Sequence, residues 1–312
     1  MKKFAHYLGG AGVALAALSI IIDYFGRNSI RWLDLAFYAN LALVVAATFV
    51  LTAILLSLLA SQDTRRIISR DVKIYFWLSG AALLFLVGFL VVTGSKQIAD
   101  RRAIDQFRKV YYNPERFRSQ FLGILSVQYP TDNWVMQEII AEVKPDFVIE
   151  TGTAAGGTAL FYATIIEKLN ENGKVITVDI AAHDPEVAKF RTWNERVLSL
   201  RGSSVSAEIF ERIKQLVQGK RVLVTLDSDH SKEHVLKEMA LYSQLVSINS
   251  YMVVQDTQLN GHPISNAEHA GMEGPWEAVQ EFLKNNRNFE IDRTREKHLI
   301  TAHPSGYLKR AS

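Results

Sequence analysis

The sequence predicts an α/β protein. Its mostly parallel, doubly wound sheet of seven strands ends in an antiparallel hairpin, and transmembrane helices precede it. Three observations predict this. After Pro130, short β-branched runs alternate with amphipathic stretches, the pattern of a parallel sheet covered on both faces. The last two β-rich runs are only a few residues apart, too close for a parallel crossover. Before residue 95, three long apolar runs stand apart from everything that follows.

Composition narrows the field further. A chain of 312 residues accommodates one sizeable α/β domain and something extra. Its 35 basic and 32 acidic residues leave no strongly basic stripe, so no nucleic-acid partner is expected. With no cysteine, a disulfide framework, a zinc–thiolate site and a cysteine nucleophile are excluded. Nothing in the sequence argues for or against an oligomer.

The apolar runs are roughly Tyr7–Ile22, Leu35–Ala60 and Ile74–Thr93. The second and third carry no charge and are long enough to cross a hydrocarbon core of about 30 Å. The first follows Lys2 and Lys3 and also resembles a signal peptide, but no small-residue cleavage site follows cleanly. Residues 1–95 are therefore expected to form a membrane region of about three transmembrane helices. Loop charges do not orient it. Lys2, Lys3, Arg65, Arg66, Arg70 and Lys73 lie on one side, against Arg27, Arg31, Lys96, Arg101, Arg102, Arg108 and Lys109 on the other.

Residues 96–122 read as a charged, helical juxtamembrane connector, whose Arg and Lys residues either meet anionic membrane lipids or form a solvated face. Residues 123–312 read as the α/β domain. Its strands are predicted at Phe147–Thr151, Lys174–Ile180, Val197–Gly202, Arg221–Ser228, Tyr251–Thr257, Phe289–Arg293 and His298–Ala302. Helices are predicted up to about Asn170, from Pro185, up to about Gln218, up to about Val246, and over Trp276–Asn285. Such a sheet is the arrangement expected of a class I methyltransferase.

Ligands of these folds bind at the carboxyl ends of the strands, so polar residues there carry the information. The first strand runs into "ETGTAAGGT", Glu150 to Thr158. Gly152 and Gly156 let the backbone approach a ligand closely, and the amides of the next helix are unpaired. The glycines are four residues apart, unlike the G-x-G-x-x-G of dinucleotide sites. This suits a cofactor without phosphates, with Glu150 near its amino group; a tight turn with no ligand is the alternative. The second strand ends in Asp179, which either accepts from ribose hydroxyls or is simply solvated. The fourth ends in "LDSDHSKEH" (Asp227, Asp229, His230, His234) and the fifth in "VVQDTQ" (Asp256, Thr257). Parallel neighbours bring Asp227 and Asp256 near one hard divalent cation, Mg²⁺ or Mn²⁺. His230 would face the same cavity as a general base, or else cap a helix or lie on the surface. His234 reads more readily as a surface histidine, and His262 either lines the substrate side or sits in an ordinary loop.

These pieces together resemble the cephalosporin hydroxylase family, which includes rhamnosyl O-methyltransferases. The matching segments are "YPTDNWVMQEIIAEVKPDFVIETGTAAGGTALFYA", "VDI", "LDSDHSKEHVLKEMALYSQLV", "VVQDT", "GPWEAVQEFL" and "HLITAHPSGYLKR", in order from about Gly123 to Arg310. The resemblance implies a class I fold that uses S-adenosylmethionine. Glu150, Gly152, Thr153, Gly156 and Thr158 would shape the cofactor site, with Asp179 on its ribose and Ser203 on its adenine side. It also implies a Mg²⁺ site at Asp227 and Asp256, with Thr257 beside it, and a base at His230. Two departures stand out: Gln255 replaces an acidic residue beside Asp256, and Ser203 replaces an aspartate.

The expectation is a membrane-anchored O-methyltransferase acting on a sugar, a lipid-linked sugar or another small amphiphile. S-adenosylmethionine is cytosolic, which would turn the catalytic domain to the cytoplasm. Two alternatives stay open from the residues: a non-catalytic sensor or scaffold, and a nicotinamide-dependent oxidoreductase on the same sheet.

Overall fold

The structure is a computed structural model and describes residues 98–265 and 271–312. The three apolar runs lie outside the described residues. Among the described residues, no helix is long and apolar enough to cross a membrane. One compact unit spans Ala103–Ser312.

Residues 98–111 are helical. The Asn113-Pro114 step ends that helix and starts a single turn, Pro114–Phe117, in which the Asn113 side chain accepts from the Glu115 amide. The rest of the expected connector is extended. Strands β1 (Arg118–Phe121) and β2 (Ile124–Val127) form an antiparallel hairpin closed by Leu122 and Gly123, both at positive φ. Each strand has only four residues and alternates weakly in burial, so it left little periodic signal to read.

Helix α1 (Pro130–Val143) then leads to strand β3 (Phe147–Thr151). The rest follows as α2 (Gly157–Leu169), β4 (Lys174–Asp179), α3 (Arg191–Arg196), β5 (Val197–Arg201), α4 (Ala207–Leu216), β6 (Val222–Leu226) and α5 (Lys232–Tyr242). The chain ends with β7 (Tyr251–Val254), α6 (Pro275–Asn285), β8 (Phe289–Ile291) and β9 (Tyr307–Arg310). The seven-stranded sheet has the order β5-β4-β3-β6-β7-β9-β8. All neighbours are parallel except β9, which runs antiparallel to both β7 and β8.

Strand period 2 divides the core between the two faces. Ile149, Ile176 and Val224 pack against Ile213 of α4, Met239 of α5 and Val279 of α6. Their neighbours Val148, Val175 and Leu223 pack against Ile139 of α1 and Leu160 of α2. Strand β6 is buried at all five positions, as a central parallel strand should be.

Two expectations need correction. The stretch from Pro185 is a 3-10 turn, Pro185–Lys189, broken at Phe190 before the short α3. The last strand is not His298–Ala302 but Tyr307–Arg310, so residues 292–306 connect β8 to β9. At Ala302 the backbone is engaged elsewhere: its N–H donates to Asp132 and its carbonyl accepts from Gln258. Tyr307 and Leu308 are completely buried and supply the apolar face the ladder needs.

Candidate functional site

The glycine-rich turn begins where β3 ends. Gly152 has φ +87°, and a β-carbon there would stand 1.9 Å from the carbonyl oxygen of Asp227. The end of β3 is thus pressed onto the end of β6, and only glycine fits. Thr153 and Ala154 donate their backbone N–H groups to one oxygen of Asp179, each at 2.9 Å, and Ala181 donates to the other at 2.8 Å. Asp179 therefore organises the turn itself. Of a carboxylate's roughly four acceptor positions, one stays open to another donor.

Gly156 has φ +93° and backs onto Trp193 and Val187. Thr158 lies in the first turn of α2, and its hydroxyl is 2.9 Å from that of Ser126 on β2. A β-carbon on Gly157 would meet the Leu125 carbonyl at 2.4 Å. The unexpected hairpin thus lies directly against the start of α2.

Glu150 is 1% exposed. One of its oxygens accepts from the Thr177 hydroxyl at 2.6 Å. Burial pushes its carboxyl up to about 8; the Thr177 bond opposes this shift and the Asp179 charge adds to it. A cationic ligand group would relieve both causes.

At the ends of β6 and β7, Asp227, His230 and Asp256 converge. One ligand atom from each falls within 4.8 Å of the other two. His230 Nε2 is 3.5 Å from Asp256 Oδ2. Burial first, then the charges of Asp256, Glu150 and Glu238, push the Asp227 carboxyl well above the usual range. Two carboxylates converging where negative charge is crowded suit a hard divalent cation.

The remaining residues singled out at these strand ends have definite surroundings. Thr257 is fully buried, and its hydroxyl donates to the Pro304 carbonyl at 2.7 Å. Ser203 accepts only a backbone bond, from Ser206. Its neighbour Ser204 instead contacts His234 Nε2 at 3.2 Å, as does Ser228. His234 is therefore no isolated surface histidine: the Glu238 carboxylate beside it holds its imidazole above the ordinary value. His262 pairs with Glu277 and stacks on Trp276 at 4.4 Å between ring centroids. Asp229 caps the approach to α5 by accepting from the Ser231 amide.

Sequence reasoning missed other residues. Gln128, just after β2, donates to Asp227 at 2.9 Å and also to Gln255. Gln255 donates in turn to Thr225 at 2.6 Å. The amide that replaces the expected acid is thus one link in a buried chain. Asp132 and His303, both 1% exposed, stand behind Asp256. They lie in two of the quoted segments, "YPTDNW" and "HPSGYLKR", but nothing in their spacing linked them to the site.

This strand order, with a single reversed strand and a glycine-rich turn at the first strand end, defines a class I methyltransferase fold. The family model "Rhamnosyl O-methyltransferase/CmcI" matches residues 115–311. The rhamnosyl O-methyltransferase of Mycobacterium bovis (strain BCG / Pasteur 1173P2) is 36% identical over 214 residues, covering 66% of this chain and 84% of that protein. The one from Mycobacterium leprae (strain TN) is 34% identical over 212 residues, covering 66% and 90%. Among solved structures, a CmcI apo-structure has 14% identity and a TM-score of 0.47, with 62% and 76% of the two chains covered. An O-methyltransferase from Bacillus cereus in complex with SAH has 14% identity and a TM-score of 0.40, with 62% and 81% covered. The chain belongs to the rhamnosyl O-methyltransferase/CmcI family and is an S-adenosylmethionine-dependent O-methyltransferase. The scaffold and nicotinamide alternatives fall with that membership.

Proposed function

We propose that this enzyme methylates a hydroxyl of a sugar or glycolipid with the help of Mg²⁺, from a membrane anchor that leaves the domain in the cytoplasm. The observation that carries the reading is the convergence of Asp227, His230 and Asp256 beside the Gly152 turn. The sugar rests on the mycobacterial relatives, which are rhamnosyl O-methyltransferases. The anchor rests on the three apolar runs before residue 95.

Bound S-adenosylmethionine supplies a methyl group made electrophilic by its sulfonium. Glu150 would pair with the ammonium of its methionine part, and Asp179 keeps one acceptor position for a ribose hydroxyl. Thr153 and Ala154 stay where Asp179 ties them, which fixes the turn before ligand arrives. Asp227 and Asp256 would hold Mg²⁺, whose positive charge makes a nearby acceptor hydroxyl more acidic. His230 Nε2 takes the proton from that hydroxyl. Gln128 keeps Asp227 in place through its 2.9 Å bond.

The full chain in lipid nanodiscs, given S-adenosylmethionine labelled on its methyl group and membrane extract, tests the reading. Label is expected in a lipid-extractable glycolipid, and to be lost with EDTA or in Asp227→Ala. Label confined to water-soluble sugars overturns the lipid part, and label that survives EDTA overturns the metal part. Because the chain lacks cysteine, Ser312→Cys reports orientation. An impermeant maleimide should react only after lysis; reaction on intact cells overturns the cytoplasmic placement.

A further inference from the structure

Asp256 does not hold its position unaided. It sits at φ +52°, the left-handed region that side chains rarely adopt, and such a conformation persists only when its surroundings impose it. Residues 302–306, between β8 and β9, impose it. Gly306 accepts from the Val254 amide at 2.8 Å, and Ala302 from the Gln258 amide at 3.1 Å. Pro304 accepts from the Thr257 hydroxyl at 2.7 Å. At Asp256 itself the grip comes from a side chain: its N–H donates to His303 Nδ1 at 3.0 Å.

That bond settles which ring nitrogen of His303 is bare. Nδ1 accepts, so the ring proton sits on Nε2, which faces Asp132 Oδ2 at 3.7 Å. Asp132 is in turn held by the Ala302 amide at 2.8 Å and the Tyr307 hydroxyl at 3.0 Å. The Asp132 carboxylate, fixed from α1, thus lies close to the far edge of the His303 ring without bonding to Nε2, which has no hydrogen-bond partner among the described residues. Nδ1 meanwhile holds the backbone of a candidate metal ligand. The other three grips on residues 254–258 use only backbone groups of residues 302–306, so they do not depend on the His303 side chain.

We propose that His303 is a positioning residue for the cation site, with Asp132 setting its orientation. It fixes the backbone of Asp256 so that the carboxylate points at Asp227 and His230. The inference rests on the metal reading above. Partners that orient a ligand in this way typically change metal affinity by about 10- to 100-fold when removed.

The test is Mn²⁺ affinity of the full chain, read from the free Mn²⁺ paramagnetic resonance signal, beside calorimetric affinity for S-adenosylhomocysteine. His303→Leu should weaken Mn²⁺ at least about 10-fold and leave S-adenosylhomocysteine within about 2-fold. His303→Asn places its amide oxygen near the position of Nδ1 and should stay within about 3-fold of wild type for both ligands. If His303→Leu does not fold, His303→Phe, a planar ring without an acceptor, is read in its place. Wild type that binds no Mn²⁺ overturns the metal reading together with this one. Wild type that binds, with a Leu variant that binds equally well, overturns the positioning role alone. So does parallel loss of both ligands, or an Asn variant no better than Leu, since either marks His303 as merely structural.

Discussion

The α-carbon of Gly152 faces the carbonyl oxygen of Asp227 so closely that a β-carbon would lie 1.9 Å from it. The glycine-rich turn and the cluster of Asp227, His230 and Asp256 therefore share one backbone contact. Gly152→Ala combines an unfavourable φ of +87° with overlap against main chain that cannot rotate away. About 2–5 kcal/mol of stability should be lost. The melting temperature should fall by roughly 10 °C, on the scale of a domain of this size. Because β3 and β6 must part, affinity for S-adenosylhomocysteine and for Mn²⁺ should fall together. Loss of one ligand alone would mean that the two half-sites are mechanically separate.

Glu150 is a buried carboxyl whose charge the ligand-free domain disfavours. Its carboxyl is raised from the model-compound value of 4.5 to about 8, so the folded state holds a proton that the unfolded chain releases. The stabilisation is complete below about pH 4.5 and is lost as pH rises toward 8, by about 1.4 kcal/mol per pH unit at most. Glu150→Gln has no such loss and can still accept from Thr177. Without ligand, the variant should melt close to wild type at pH 5 and clearly above it at pH 8. It should also bind S-adenosylhomocysteine at least about 10-fold more weakly, because the charge for the ammonium is gone. A melting difference that does not change with pH would contradict the raised carboxyl.

Much of this was legible in the sequence, for definite reasons. Strand β3 was read to the residue because "FVIET" is a short apolar run between Pro145 and a glycine turn. Asp227 and Asp256 were paired because parallel neighbours end side by side. The hairpin at Arg118–Val127 was missed because charge and weak alternation made it look like connector. Residues 298–302 carry a strand-like pattern, and nothing local reveals that the backbone partners of Ala302 are Asp132 and Gln258, far away in the chain. Gln128 and His303 were invisible for the same reason. Each reaches the site across more than 40 residues, through contacts that no periodicity encodes.

Gln255 stands where the resemblance implies an acidic residue, and its surroundings say what an acid would do there. Its amide links Gln128 to Thr225 inside the protein, where a carboxylate would stand beside the already strained charge of Asp227. Gln255→Glu should lower the melting temperature without metal and raise Mn²⁺ affinity, since a third carboxylate strengthens a hard-cation site. Saturating Mn²⁺ should therefore return most of the lost stability through binding to the folded state. A variant destabilised equally with and without Mn²⁺ would show that position 255 does not reach the cation.

His230 is close enough to the cluster to be either ligand or base, and the two roles separate experimentally. If it is the base, His230→Ala should lower kcat by about 10²- to 10⁴-fold and leave Mn²⁺ affinity within a few-fold. Asp256→Ala should instead abolish Mn²⁺ binding, because it removes one of two anionic ligands. The base role is the expected one because Mg²⁺ prefers oxygen donors over imidazole. Equal loss of Mn²⁺ affinity in His230→Ala and Asp256→Ala would make the histidine a ligand and leave the acceptor's proton to another group or to water.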